Sequence, residues 1–503
     1  MQSAGITVRP QLAGVLALVA VSALALWHWS DGPELAAADY AQYIAHARAL
    51  AEGRPYTDTG YIFTPLLPWA GPAAQPPGLP LILAAIFRTI GDSTLVVKIV
   101  MLASTLGFYA LAGLYFARLT DPRIGAAIVL LLGVSTDLVR AATLVQSDLL
   151  FACLIWSVIT LYDRSGSFTP GRLVAITVLG AFSVATRTLG VALVPAVLLF
   201  TLLHWRQHGF KPAIPVAIWG AGFLVANALL PITAGFPDLR AIVQGIVPTV
   251  VDHVVAYRYG LFDATLYPFP WNLANDVYHV IAILTMVYGL LTWVPDAFRR
   301  FSLVFSAVYV MMLIVVPVLA PRYLWPVYPV LTFGLLRGIS LLASRVGVAS
   351  LNTRSRVVLA TAVVIGVLNV TWVERLTARE TPLAARADVQ ELFHALTRIA
   401  AQEPIRVAFV RPQVLALETR IPSMTTFDAS PQVVAAELDR RCITHVVLGD
   451  LGLAPSANAA FRELVRVQPD AFRLEYRNSA FEVHRFTALA CHKDRENAWH
   501  HQT

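Results

Sequence analysis

Residues 95–117, LVVKIVMLASTLGFYALAGLYFA, carry one charge, Lys98, in an otherwise apolar stretch. A helix needs about 20 apolar residues to cross the ~30 Å hydrocarbon layer, so this stretch reads as a membrane span. Comparable runs lie near 10–29, 124–139, 148–163, 172–187, 190–205, 213–231, 277–295, 301–319, 323–342 and 357–373, giving about eleven spans. Composition agrees: 57% of the 503 residues are hydrophobic and 14% charged, against roughly 45–50% and about 25% in soluble domains. A water-soluble enzyme is thereby excluded, and the expected fold is an all-α polytopic membrane domain.

The formal charge is +7, but the cations sit between apolar runs, where membrane orientation requires them. This argues for membrane lipids rather than nucleic acid as partners. Lysine occurs only at Lys98, Lys211 and Lys493, so arginine, the better forked phosphate ligand, carries most of the charge. With the N-terminus cytoplasmic, the inner connections hold the arginine pairs, among them Arg118 with Arg123 and Arg299 with Arg300. The short outer connections hold one each: Arg140, Arg187 and Arg322. The run at 10–29 reads as an uncleaved first span rather than a signal peptide. An odd number of spans then places the segment after residue 373 outside, in the periplasm of a Gram-negative inner membrane.

Two outer loops are long, 30–94 and 232–276, and long loops in such proteins usually carry function. The first includes Leu79 to Ile90, too short to span and suited to an interfacial or re-entrant position. The second ends in Tyr267-Pro268-Phe269-Pro270-Trp271, an aromatic segment suited to the headgroup layer. Domain boundaries are expected at 1–373 for the multispan part and 374–503 for a small α/β domain. Within the latter, 405–410, 443–448, 472–476 and 481–486 read as strands, and 433–441 and 459–467 as helices. The three cysteines, Cys153, Cys442 and Cys491, have no metal-ligand spacing, and Cys442 and Cys491 are able to pair if exported.

Asp39, followed by Tyr43, Ile44, Ala47 and Ala51, opens an expected amphipathic surface helix just after the first span. Asp39 with Gln42 forms a capping-box pattern, and a carboxylate at the bilayer edge also suits a general base. Asp148, in Gln146-Ser147-Asp148, stands at the outer mouth of the fourth span, as a helix-start residue or as part of a polar cavity. Lys98, Arg140, Arg187 and Arg322 lie on the same expected side. Each alone fits a headgroup anchor; together with two acids they suit a reaction on a lipid-bound phosphate.

Four motifs in order, Asp39 to Gly53-Arg54-Pro55-Tyr56, Gln75-Pro76-Pro77-Gly78-Leu79-Pro80, Gln146-Ser147-Asp148 and Arg322-Tyr323-Leu324-Trp325-Pro326, resemble the GT-C glycosyltransferases. The similarity is to the bacterial group of protein O-mannosyltransferases, lipid A aminoarabinose transferases and lipopolysaccharide galacturonosyltransferases. It implies a GT-C fold and an undecaprenyl or related polyprenyl-phosphate sugar as donor. The acceptor would be a glycolipid, glycan or protein. By the same resemblance Asp39 is the base, Asp148 the second acidic group, and Lys98 and Arg322, with Arg187 or Arg140, the phosphate contacts. Tyr40, Tyr56, Gln75, Gln146 and Tyr323 would position the substrates. Tyr40 and Gln75 stand where many relatives carry an acid and a histidine, so a divalent metal is not indicated. A transporter or lipid flippase is the alternative, although the charges cluster at span ends and no repeat is visible.

Overall fold

The computed structural model describes residues 10–29, 38–67, 71–72, 75–142, 144–164, 167–229, 257–258, 260–269, 272–293, 299–315, 320–377, 386–449 and 455–487. The chain divides into two compact units. One comprises Met1–Asp31, Leu95–Ile232 and Phe236–Glu380; the other comprises Gly32–Thr94, Thr233–Gly235 and Thr381–Thr503.

The first unit is helical. Its helices are α1 (Pro10–Trp27), α4 (Thr94–Leu119), α5 (Pro122–Gly133), α6 (Thr136–Ala141), α7 (Ser147–Tyr162), α8 (Pro170–Thr186), α9 (Leu193–Leu203), α10 (Ile214–Leu229), α11 (Asn272–Leu291), α12 (Phe301–Val315), α13 (Tyr328–Arg345) and α14 (Leu351–Thr377). Each expected span except 124–139 falls on one of these apolar helices. Among the described residues, four stretches, Thr94–Leu119, Asn272–Leu291, Pro321–Arg345 and Leu351–Val373, are long and apolar enough to cross a membrane; the other apolar helices are shorter. The span expected at 124–139 is broken. Its helix α5 has 12 residues and ends at Gly133, and Ser135 caps the separate α6.

The faces of α11 show which solvent this unit suits. Leu273, Val277, Val280, Ile281, Leu284 and Leu291 are exposed, while Asn275, His279, Ala282, Met286 and Gly289 are buried. An apolar exposed side with polar groups turned inward is tolerated in lipid, not in water. Because lipid tails are as apolar as leucine, helices here associate by close packing of small residues. Gly289 of α11 lies so near Gly334 of α13 that a Cβ on Gly289 would overlap the Gly334 carbonyl oxygen, and one on Gly338 would overlap Thr285 O. Gly334 and Gly338 form a small-xxx-small ridge that sequence inspection had not singled out.

The second unit holds α2 (Ala38–Ala51), α3 (Gly78–Thr89), α15 (Ala387–Gln402), α16 (Pro412–Thr419), α17 (Pro431–Arg440) and α18 (Pro455–Val467). Five strands, β1 (Val407–Phe409), β2 (Ser423–Thr425), β3 (His445–Gly449), β4 (Phe472–Arg477) and β5 (Phe481–Phe486), form one sheet of order β2-β1-β3-β5-β4. β1 is parallel to β2 and β3, whereas β5 is antiparallel to β3 and β4. Four strands fall where the alternation placed them; β2, three residues long, left no pattern to read. The segment 32–94, expected as a loop of the multispan part, joins this sheet: Tyr61 bridges Ser423, with Ile62 N donating to Ser423 O at 2.7 Å and Ser423 N to Gly60 O at 3.0 Å. These bonds satisfy the open side of β2.

The expected surface helix is also different. Apart from Asp39, Arg48 and Leu50, residues 39–50 of α2 are buried, because α2 packs between α3 and α16. Helix α3 is amphipathic, with Leu79, Leu83 and Phe87 buried and Leu81 exposed. The helix already includes Ala38, so Asp39 lies inside the first turn rather than at the cap. Cys442 is disulfide-bonded and Cys153 is free; Cys491 lies outside the described residues. Most of the 232–276 loop does so too.

Gly334→Leu should force α11 and α13 apart and lower stability by about 2 kcal/mol or more. Thermal unfolding in detergent micelles checks this; an unchanged midpoint removes the glycine contact from the packing account.

Candidate active site

Helix α7 begins at Ser147, which places Asp148 in its first turn, where the helix dipole favours a carboxylate. Asp148 is only 3% exposed. Its charge is met by Arg187, which follows the last residue of α8: Arg187 Nη1 lies 2.5 Å from Asp148 Oδ2 and donates to Ser147 Oγ at 3.2 Å. Arg322 approaches from a 3₁₀ turn over Pro321–Val327 that leads into α13. Its Nε is 3.9 Å from the same Asp148 oxygen, and its Nη1 donates to Gln146 Oε1 at 3.5 Å. Tyr323 lies beneath both guanidiniums, with Arg187 Cζ 4.7 Å and Arg322 Cζ 5.9 Å from its ring centre.

Five residues singled out from the sequence, Gln146, Asp148, Arg187, Arg322 and Tyr323, therefore meet in one cluster. The turn bearing Arg322 is tied down by Trp156, whose Nε1 donates to Pro326 O at 2.8 Å. Two guanidiniums face this one carboxylate. Arg322 has 32% of its side chain exposed against 13% for Arg187, which makes it the more available anion ligand. Tyr309 of α12 joins the same electrostatic neighbourhood, interacting with both Arg187 and Asp148. Sequence reading missed it, since one tyrosine inside an apolar run looks like core.

Lys98 is buried in the first turns of α4. Arg140 lies in the last turn of α6 and acts on Asp137, three residues earlier on the same helix. Both have interactions within the protein.

In the second unit, Asp39 is half-buried. Arg411, at the start of α16, is its electrostatic partner: burial lowers the proton affinity of that guanidinium and Asp39 partly restores it. Nothing in the sequence linked these two, which are separated by most of the chain. Tyr40, Gln42 and Tyr43 are buried beside Asp39 on α2. Tyr56 and Gln75 belong to a structural chain: His46 Nδ1 bonds to Tyr56 O at 2.7 Å, the two rings stack at 4.1 Å, and Tyr56 donates its hydroxyl to Gln75 O at 2.8 Å. Burial pushes His46 down to about 4, against the opposing bond to Tyr56. Among the described residues, no group of three or more His, Cys, Asp or Glu is placed to hold a metal.

Comparison with solved structures aligns nearly the whole chain. ArnT from Cupriavidus metallidurans matches with a TM-score of 0.57 and 14% identity in the apo state, over 94% of this chain and 98% of that one. The same protein bound to undecaprenyl phosphate matches with a TM-score of 0.53 and 15% identity, over 95% and 98%. The fold is GT-C. An Archaeoglobus fulgidus oligosaccharyltransferase, AglB, in complex with an inhibitory peptide and a dolichol-phosphate, matches with a TM-score of 0.54 and 11% identity over 87% of this chain and 69% of that one. No family model matches the sequence, and no curated protein matches it. At these identities the likeness establishes the fold, and the GT-C architecture is that of an integral membrane protein.

Two outcomes follow from this geometry. Arg187→Ala strands a buried carboxylate and should destabilise the GT-C bundle by about 3 kcal/mol. Arg322→Ala, at a longer and more exposed contact, should cost no more than about 1 kcal/mol. Unfolding in micelles measures both, and equal losses would contradict the assignment of Arg187 as the primary partner. For His46, a folded pKa below the usual 6.5 means that the neutral form is the one the fold accepts. That stability is whole above about pH 6.5 and is lost as pH falls toward 4, by about 3 kcal/mol at full protonation. His46→Gln, which keeps a donor for Tyr56 O, should flatten this acid limb of the pH–stability curve; an identical limb in the variant assigns it elsewhere.

Proposed function

We propose that this protein is a membrane glycosyltransferase that moves a sugar from a polyprenyl-phosphate donor to an acceptor hydroxyl or phosphate at the outer face of the inner membrane. The observation that carries this reading is the Asp148–Arg187–Arg322 cluster inside a GT-C fold. It gathers two guanidiniums around one buried carboxylate, and the Arg322 side chain is still accessible to a phosphate. The structures of ArnT with undecaprenyl phosphate and of AglB with a dolichol-phosphate support a lipid phosphate as the ligand class.

The transfer is a single inverting displacement. Asp39 takes the proton of the acceptor hydroxyl as its oxygen forms a bond to the sugar's anomeric carbon. The bond from that carbon to the phosphate oxygen breaks, and the electron pair leaves with the polyprenyl phosphate. Arg322 neutralises the departing phosphate, and Arg187, with Lys98 and Arg140, adds to the cationic field. Asp148 holds Arg187 in place and keeps the two guanidiniums from repelling each other apart. Arg411 is the electrostatic partner that helps to position Asp39. In this reading the N-terminus is cytoplasmic and the α/β unit periplasmic, and the acceptor is a glycolipid, glycan or protein.

Asp39→Asn should reduce transfer from a polyprenyl-phosphate sugar by about 100-fold or more while membrane insertion and the unfolding midpoint stay normal. Transfer at the parental rate would remove Asp39 from the role of base. Arg322→Ala should raise the donor concentration needed for half-maximal rate, measured by donor titration in proteoliposomes; unchanged donor dependence would rule out its phosphate contact. Mass spectrometry of envelope glycans with and without the gene identifies sugar and acceptor.

A further inference from the structure

A second cationic site lies elsewhere in the helical unit. A pocket of about 300 Å³ is lined by Leu119 and Thr120 after α4, Trp293 after α11, Arg299 and Arg300 before α12, and Phe333 and Arg337 on α13. It is remote from the Asp148 cluster. Asp163, which follows α7, accepts hydrogen bonds from Phe301 N at 2.7 Å and Ser302 N at 3.1 Å, directly beside Arg300. Asp148 begins that same helix, 15 residues earlier, a separation of about 22 Å along the axis at 1.5 Å per residue. The pocket and the cluster therefore sit toward opposite ends of the bundle.

Three guanidiniums line this pocket. Among the described residues, Arg299, Arg300 and Arg337 make no ion pair within 4 Å. Arg337 uses Nε and Nη2 on Thr292, at 3.3 Å to Oγ1 and 3.2 Å to O. Asp163 feels Arg300 electrostatically but is already occupied by Tyr115 OH at 2.6 Å and the two backbone amides. Orientation in the membrane accounts for Arg299 and Arg300, which occupy a connection between helices. It does not account for Arg337, which lies midway along an apolar helix, where an arginine is costly unless it faces a polar cavity and a partner. Trp293 and Phe333, whose ring centres are 4.6 Å apart, supply an apolar wall next to the charges.

We propose that this pocket binds a phosphate group at the membrane face opposite the Asp148 cluster, held by Arg299, Arg300 and Arg337. Forked guanidiniums suit phosphate oxygens, Thr120 adds a hydroxyl, and the apolar wall beside them fits a phosphate whose other end is a lipid. The same chemistry is met by the headgroup of an anionic phospholipid or by free phosphate. This site is independent of the transfer reaction and stands or falls without it.

The test uses the full chain and the variant Arg299→Gln/Arg300→Gln/Arg337→Gln, with Arg299→Gln/Arg300→Gln alone as a version that leaves the helix interior intact. In the first arm, native mass spectrometry compares phosphatidylglycerol with phosphatidylcholine bound to protein released from nanodiscs. In the second, the unfolding midpoint in neutral detergent is followed against added inorganic phosphate at constant ionic strength, with sulfate-free chloride as control. Preferential phosphatidylglycerol retention that falls about tenfold in both variants supports the site with a lipid headgroup as source. A phosphate-specific rise in midpoint that both variants lose supports it with free phosphate as source. If the parent shows neither preference, or the variants retain both, the proposal is overturned.

Discussion

A carboxylate 3% exposed at the head of a helix survives only because a guanidinium sits 2.5 Å away. The Asp148–Arg187 pair joins the start of α7 to the end of α8, and Arg322 brings in the turn before α13. Three helix ends are thus held at one point by charge inside a bundle otherwise assembled by apolar packing. Removing either partner leaves a charge where water cannot reach it. A second arginine, Arg322, reaches the same carboxylate oxygen from a more exposed position.

The rest of the bundle supports that point with weaker, more numerous contacts. Between α11 and α13 the backbones approach as closely as Gly289, Gly334 and Gly338 allow, which compensates for the absence of a hydrophobic force between helices in lipid. Trp156 ties the Arg322 turn by a single hydrogen bond to Pro326 O. The α/β unit follows a different rule. Its sheet is closed at one side by Tyr61 and Ile62, so a segment that precedes the main span series in sequence belongs in space with the C-terminal residues.

Much of the fold was legible because membrane helices write themselves as apolar length. All eleven expected spans lie on helices, and the strands β1, β3, β4 and β5 follow their alternation. The break at Gly133 was hidden, since α5, the turn and α6 are all apolar. The burial of α2 was hidden as well: the segment read as an amphipathic surface helix, yet Tyr40, Tyr43 and His46 are all buried, and His46 stacks on Tyr56.

By itself the sequence determined that this chain lives in a bilayer, where its helices run, and which acids and arginines stand at their ends, because hydrophobic length and charge placement are local properties. Which of those charged groups meet was decided only by tertiary structure. Asp148, Arg187 and Arg322 come from separate helix ends, and Asp39 finds Arg411 across more than 370 intervening residues. Coulomb attraction in a poorly solvated interior acts over a few ångströms of space, whatever the distance along the chain.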